Sequence, residues 1–173
     1  MRFYKNILIN LLCFIIFPFL LIDTSTAETN KHAPIFKVRD IEGKQVSMEE
    51  LFHKGPIIVD FWATWCNPCK AELKALAKLY KKYKAQGLEV VAISEDNVEE
   101  SAKVKQFVKM KKMPFIVIID RNKELMEKFH AATVPSLFLI AKHGRIYSIH
   151  IGYLPGDEKK LEQELLALIR NKE

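Results

Sequence analysis

Ile57-Ile58-Val59-Asp60-Phe61-Trp62-Ala63-Thr64-Trp65-Cys66-Asn67-Pro68-Cys69-Lys70 carries a strand, two cysteines and a helix start within fourteen residues. Ile57 to Trp62 is apolar except for Asp60, the pattern of a strand buried on both faces. A helix is expected from Cys66 to Gln86, with Leu73, Leu76, Leu79 or Tyr80, and Tyr83 facing inward. Gly87 stands where a left-handed cap would end it. Cys66 then falls in the first turn, where unpaired N–H groups and the positive end of the helix dipole favour a thiolate. That lowers its pKa and marks it as the attacking sulfur. Cys69, one turn deeper, is expected to be less exposed and to resolve. Pro68 suits an early helical position, because its missing N–H would have been unpaired anyway.

Other uses of two cysteines stand beside this one. A structural zinc site needs four ligands, and His143 and His150, seven apart, fall outside the usual spacing. A purely structural disulfide rarely spans two residues, because so small a loop constrains the unfolded chain little. Two inert buried cysteines are the third reading. The spacing at a helix start favours redox chemistry over all three.

Upstream, Ile35 to Arg39 alternates like a strand, Glu42-Gly43-Lys44 turns, and Gln45-Val46 returns, giving an amino-terminal hairpin. Ser47 and Glu50 form a capping box for a short helix to His53. Downstream, strands are expected at 88–94, 115–119, 136–140 and 145–151, the last two joined by a tight turn at His143-Gly144. Helices are expected from a box at Asn97 and Glu100 to about Lys112, stopped by Pro114, then near 123–130, and finally at 157–170. Alternating strands and helices followed by a hairpin and a helix give an α/β fold, a central mixed sheet flanked by helices.

The 173 residues carry a net charge of +6 and three cysteines, one of them in an unusual leader. Arg2 and Lys5 precede Ile7 to Ile22, in which only Asn10 and Pro18 are not apolar, and Ser25-Thr26-Ala27 follows. This is the layout of a secretory signal, residues 1–27, with cleavage expected after Ala27. An uncleaved anchor is the rival, against which stand the short apolar run and Pro18. Lipidation at Cys13 is disfavoured, since Leu12 precedes it and nine more mostly apolar residues follow. A flexible segment is expected at 28–34 and one domain at 35–171. Lys70, Lys74, Lys78 and Lys81 or Lys82 recur at helical spacing as a wet face, with no nucleic-acid motif beside them.

Phe61-Trp62-Ala63-Thr64-Trp65-Cys66-Asn67-Pro68-Cys69-Lys70 resembles the active-site segment of the thioredoxin superfamily, and its Thr64 form resembles the exported TlpA/ResA-like thiol-disulfide oxidoreductases. The resemblance runs from about Pro34 to Ile169. It implies a thioredoxin-like fold in which Thr133-Val134-Pro135-Ser136 supplies a cis proline beside the disulfide. Val134 would offer its backbone to a substrate, with Trp65, Pro68 and Pro135 shaping the surface around the sulfurs. The 39 residues from Asp96 to Pro135 exceed a minimal thioredoxin connector and match that branch's central helix-strand insertion. Peroxiredoxins are disfavoured, since Ala63 stands where their motif has Thr, three residues before Cys66.

Asp60 matches the buried aspartate of thioredoxins, where exported relatives often have Asn. Burial in an apolar strand would raise its pKa and let it exchange a proton with Cys69. The lysine that often accompanies it is absent, since the aligned strand reads Val90-Val91-Ala92-Ile93. Glu95 and Glu99 are candidate substitutes that rank no higher than solvated carboxylates. The resemblance implies an extracytoplasmic enzyme, in the periplasm or on the outer membrane face. It would reduce protein disulfides, as in cytochrome c maturation, with electrons from a membrane thiol carrier. Neither metal nor cofactor is expected beyond the Cys66–Cys69 disulfide. A binding or chaperone module with a structural disulfide, and a copper metallochaperone, are the alternatives.

Overall fold

The computed structural model describes residues 31–170. The expected leader 1–27, with Cys13, and the first residues of the 28–34 segment lie outside the described residues. Strands β1 (Lys37–Arg39) and β2 (Gln45–Ser47) pair antiparallel as the expected hairpin. Asp40 closes their turn, its carboxylate accepting from the Glu42 and Lys44 N–H groups. The Ser47 hydroxyl accepts from Glu50 N–H and caps α1 (Met48–Phe52).

The main sheet comprises β3 (Ile57–Trp62), β4 (Glu89–Ser94), β5 (Ile116–Ile119), β6 (Ser136–Ile140) and β7 (Ile146–Ile151), in the spatial order β5-β4-β3-β6-β7. β3, β4 and β5 run parallel, and β6 and β7 complete the sheet antiparallel. The parallel steps require crossovers, supplied by α2 (Asn67–Tyr83) and α3 (Ser101–Lys111). The short α4 (Glu124–Lys128) precedes β6, and α5 (Asp157–Arg170) ends the described chain. On one sheet face Phe61, Phe129 and Phe138 meet edge-to-face beneath α1 and the hairpin. On the other, Leu76, Leu79, Leu161 and Leu165 of α2 and α5 bury Ile58, Leu137 and Leu139.

Local details depart from the sequence reading. Cys66 is the N-cap of α2, one position before its first turn. The segment after Asn97 opens as a 3-10 turn, Val98–Glu100, with no side-chain cap from Asn97. α3 ends at Lys112, whose left-handed backbone breaks the helix two residues before Pro114. Lys31 to Ala33, expected to be flexible, is bonded to the start of β7: the Ile146 N–H donates to the Lys31 carbonyl and Ala33 N–H to that of Gly144, each at 2.8 Å.

The parallel pair is set in register where two glycines cross. A Cβ on Gly55 would lie 2.6 Å from the Gly87 carbonyl oxygen, and Gly87 itself adopts φ +94° to end the 3-10 turn after α2. Just beyond, Glu89 N–H donates to the Pro56 carbonyl. Gly55→Ala should therefore destabilise the domain by about 1–3 kcal/mol, because the clash is with backbone that cannot rotate away. Urea unfolding would show it as a lower midpoint at unchanged slope.

Candidate active site

The two cysteines sit where β3 ends and α2 begins, joined as a disulfide with Cα atoms 5.3 Å apart. Cys69 N–H points at Cys66 Sγ from 3.2 Å, so the helix start solvates that sulfur. Reduced, Cys66 would hold its thiolate against this N–H and the positive helix end, which lowers the cost of ionising it. Cys66 is 6% exposed and Cys69 wholly buried, while Trp65 beside them is 62% exposed. An incoming sulfur therefore meets Cys66 first. The Val134–Pro135 bond is cis, and Val134 packs on the apolar cluster that holds both cysteines. Pro68 is exposed at the second position of α2. The structure thus places Trp65, Cys66 and Pro68 together at the start of α2, with Val134 packed against the cysteine cluster and Pro135, itself buried, next to it in the chain.

Asp60 is fully buried, and its oxygens find no partner among the described residues other than the carboxyl of Glu72. Its register partner in β4 is Ala92, so no lysine compensates it. Its neighbour is Glu72, a residue the sequence reading passed over. Glu72 is one turn beyond Cys69 on the inward stripe of α2, at the spacing shared by Cys69, Leu76 and Tyr83. A charged residue on an otherwise apolar stripe was the available signal. Burial drives the Asp60 carboxyl well above the usual range, and Glu72 is raised by burial and then by the charge of Asp60. The pair holds protons near the pH at which thiols exchange, one helical turn from the resolving cysteine.

A second overlooked group is Asp96. It is buried, and its carboxylate accepts from Thr64 N–H at 2.8 Å, from the Thr64 hydroxyl and from the Ser94 hydroxyl at 2.8 Å. Thr64 lies two residues before Cys66, so Asp96 fixes the loop that presents the reactive sulfur. Nothing in the spacing of Ser94 and Asp96 shows that they reach back to residue 64. Glu95 is buried rather than solvated, and its carboxyl lies against that of Asp120. Burial, reinforced by Asp120, raises its carboxyl to about 8. Glu99 is exposed. Among the described residues, no three His, Cys, Asp or Glu gather as a metal cage, and no helix is long and apolar enough to cross a membrane.

Comparison with known proteins places this geometry. The AhpC/TSA family model matches residues 29–149, which take in both cysteines and Pro135. The chain is 34% identical over 153 residues to the thiol-disulfide oxidoreductase ResA of Bacillus cereus, covering 86% of this chain and 87% of that protein. It is 32% identical over 148 residues to ResA of Halalkalibacterium halodurans, covering 86% and 81%. The crystal structure of StoA from Bacillus subtilis superposes with a TM-score of 0.63 at 27% identity, covering 76% of this chain and 96% of that one.

A raised folded-state pKa means that unfolding releases the Asp60 proton at any pH between the free value of 3.8 and the raised one. Stability therefore falls as pH rises through that window. Asp60→Asn should raise the Tm of the oxidised protein, with little gain at pH 4 and at least about 3 °C at pH 8, read from melts across that range. A gain independent of pH would exclude Asp60 as the titrating group. Asp96→Ala leaves the buried Thr64 N–H without an acceptor and should cost about 1–3 kcal/mol in urea unfolding.

Proposed function

The chain belongs to the AhpC/TSA family, and from that premise we propose that this protein thiol-disulfide oxidoreductase works outside the cytoplasm, reducing disulfides of partner proteins. The observation that carries this reading is the asymmetry of the pair: Cys66 capped by an N–H beside an exposed Trp65, Cys69 sealed beneath it. The Cys66 thiolate attacks one sulfur of the substrate disulfide. That S–S bond breaks, a mixed disulfide forms, and the departing substrate sulfur leaves as a thiolate that takes up a proton. Cys69 then loses its proton to the Asp60–Glu72 pair, which accepts it when one of the two carboxyls is ionised, and attacks Cys66 Sγ. The second substrate thiol is released and the domain is left with the Cys66–Cys69 disulfide. Two electrons have passed to the substrate.

Trp65, Pro68, Val134 and Pro135 form the surface on which the substrate cysteine is seated, with the Val134 backbone offered to it. A membrane thiol carrier would restore the dithiol, and no further cofactor is needed for the exchange. The leader 1–27 supports the extracytoplasmic placement, and the resemblance to TlpA/ResA-like proteins supports reduction, with cytochrome c maturation as the pathway.

In single-turnover assays with pre-reduced protein, Cys66→Ser should abolish disulfide reduction. Cys69→Ser should stop at the mixed disulfide and retain bound partners on a non-reducing gel. Full activity in Cys66→Ser would overturn the assignment. Stoichiometric copper binding by the reduced protein, lost on alkylation and without disulfide reduction, would favour a metallochaperone.

A further inference from the structure

On the sheet face opposite α2, the end of the sheet next to Pro135 is left uncovered. Ile149 and Ile151 of β7 pair with Phe138 and Ser136 of β6 and turn to the same face. Ser148 and His150 turn the other way and are tied to Glu164 of α5. The alternation is that of a buried apolar face, yet Ile149 is 46% and Ile151 73% exposed. α4 and the chain after it stop short of these two side chains, leaving a groove of about 440 Å³ with Phe129, Phe138 and Ile146 in its wall.

The polar lining of this groove is one-sided. Lys31, His32, Lys128 and His130 belong to it, and no aspartate or glutamate does. One end of it is built from Ala132, Ser136 and Ile151, which bracket the proline. Gly152 N–H, next in sequence to Ile151, donates to the Pro135 carbonyl at 2.9 Å. The groove therefore ends beside Pro135, on the face of the sheet opposite α2.

We propose that this groove is a second substrate subsite, which seats an extended segment of the partner protein next to its reacting cysteine. That segment carries aliphatic side chains, which cover Ile149 and Ile151, and carboxylates, which face Lys31 and Lys128. A second copy of this chain is the poorer occupant, because its net charge of +6 repels a basic rim. The inference rests on the exchange reaction proposed above. The subsite would let the enzyme choose among partners by sequence away from the disulfide, while the chemistry stays at Cys66.

The test uses pre-reduced protein in single turnover with three disulfides: hydroxyethyl disulfide, a peptide whose cysteine is flanked by Leu and Glu, and the same peptide with Lys for Glu. The acidic peptide should react at least tenfold faster than the basic one in low salt, with the difference shrinking in 0.5 M NaCl as the charges are screened. In Ile151→Asp and in Lys128→Glu, the ratio of acidic-peptide to hydroxyethyl-disulfide rate constants should fall at least tenfold. Both residues are on the surface, and circular dichroism would verify that the variants fold. Equal rates for the two peptides, or an unchanged ratio in both variants, would overturn the subsite and leave the exchange reaction standing. So would a concentration-dependent dimer of the unaltered protein that Ile151→Asp dissociates. Failure to reduce hydroxyethyl disulfide would instead remove the exchange reaction, and the subsite with it.

Discussion

All six residues of β3 are buried, and the domain is arranged around that constraint. A strand with no solvent face needs cover on both sides and partners along both edges. β4 and β6 supply the edges, α2 and the aromatic cluster supply the faces. The cysteines are placed by the same requirement. The chain leaves β3 at Trp62 and must turn back at once into the helix that covers it, so the turn that carries Cys66 is held between two immobile elements. Asp60 is the exception within the strand. Its carboxyl gains nothing from burial and is tolerated as a neutral acid beside Glu72.

The legible parts were those written in local patterns. The apolar run of β3, the inward leucines of α2 and the Gly87 stop each follow from signals within one element, and each stands where expected. The cis peptide before Pro135 was implied by resemblance alone, since nothing in Thr133-Val134-Pro135-Ser136 distinguishes it from a strand-opening proline. Asp96 was illegible for a different reason. Its partner Thr64 is 32 residues away, and the contact exists only because β3 and β4 are parallel neighbours whose carboxyl ends lie side by side. Glu72 was legible in principle, being a charged residue on an apolar stripe, but its meaning depends on Asp60 lying opposite. The register of the 3-10 turn after Asn97 and the pairing of Lys31 to Ala33 with β7 both rest on backbone bonds that side-chain chemistry does not announce.

On the function proposed, the site divides into a rigid part and a selective part. Cys66, Cys69 and the buried acids are fixed by the strand-helix junction, and their chemistry is indifferent to what the substrate looks like beyond its sulfur. Trp65, the Pro135 loop and the open end of β7 are surface features with room for side chains. The basic stripe of α2 lies on a different face from that groove, so its lysines remain the solvated surface that helical spacing indicated.

Asp96 has one further consequence. It is the last residue before the inserted segment, and its carboxylate binds the reactive loop ahead of everything the insertion goes on to do. The segment from Asn97 onward returns to the same place by apolar contact, since Val104 is wholly buried in the cluster that holds both cysteines. Trp62 meets Phe107 in that same cluster, their ring centroids 5.4 Å apart. The turn that carries the cysteines is therefore held twice by one stretch of chain, by the Asp96 carboxylate at its root and by the apolar face of α3 further along.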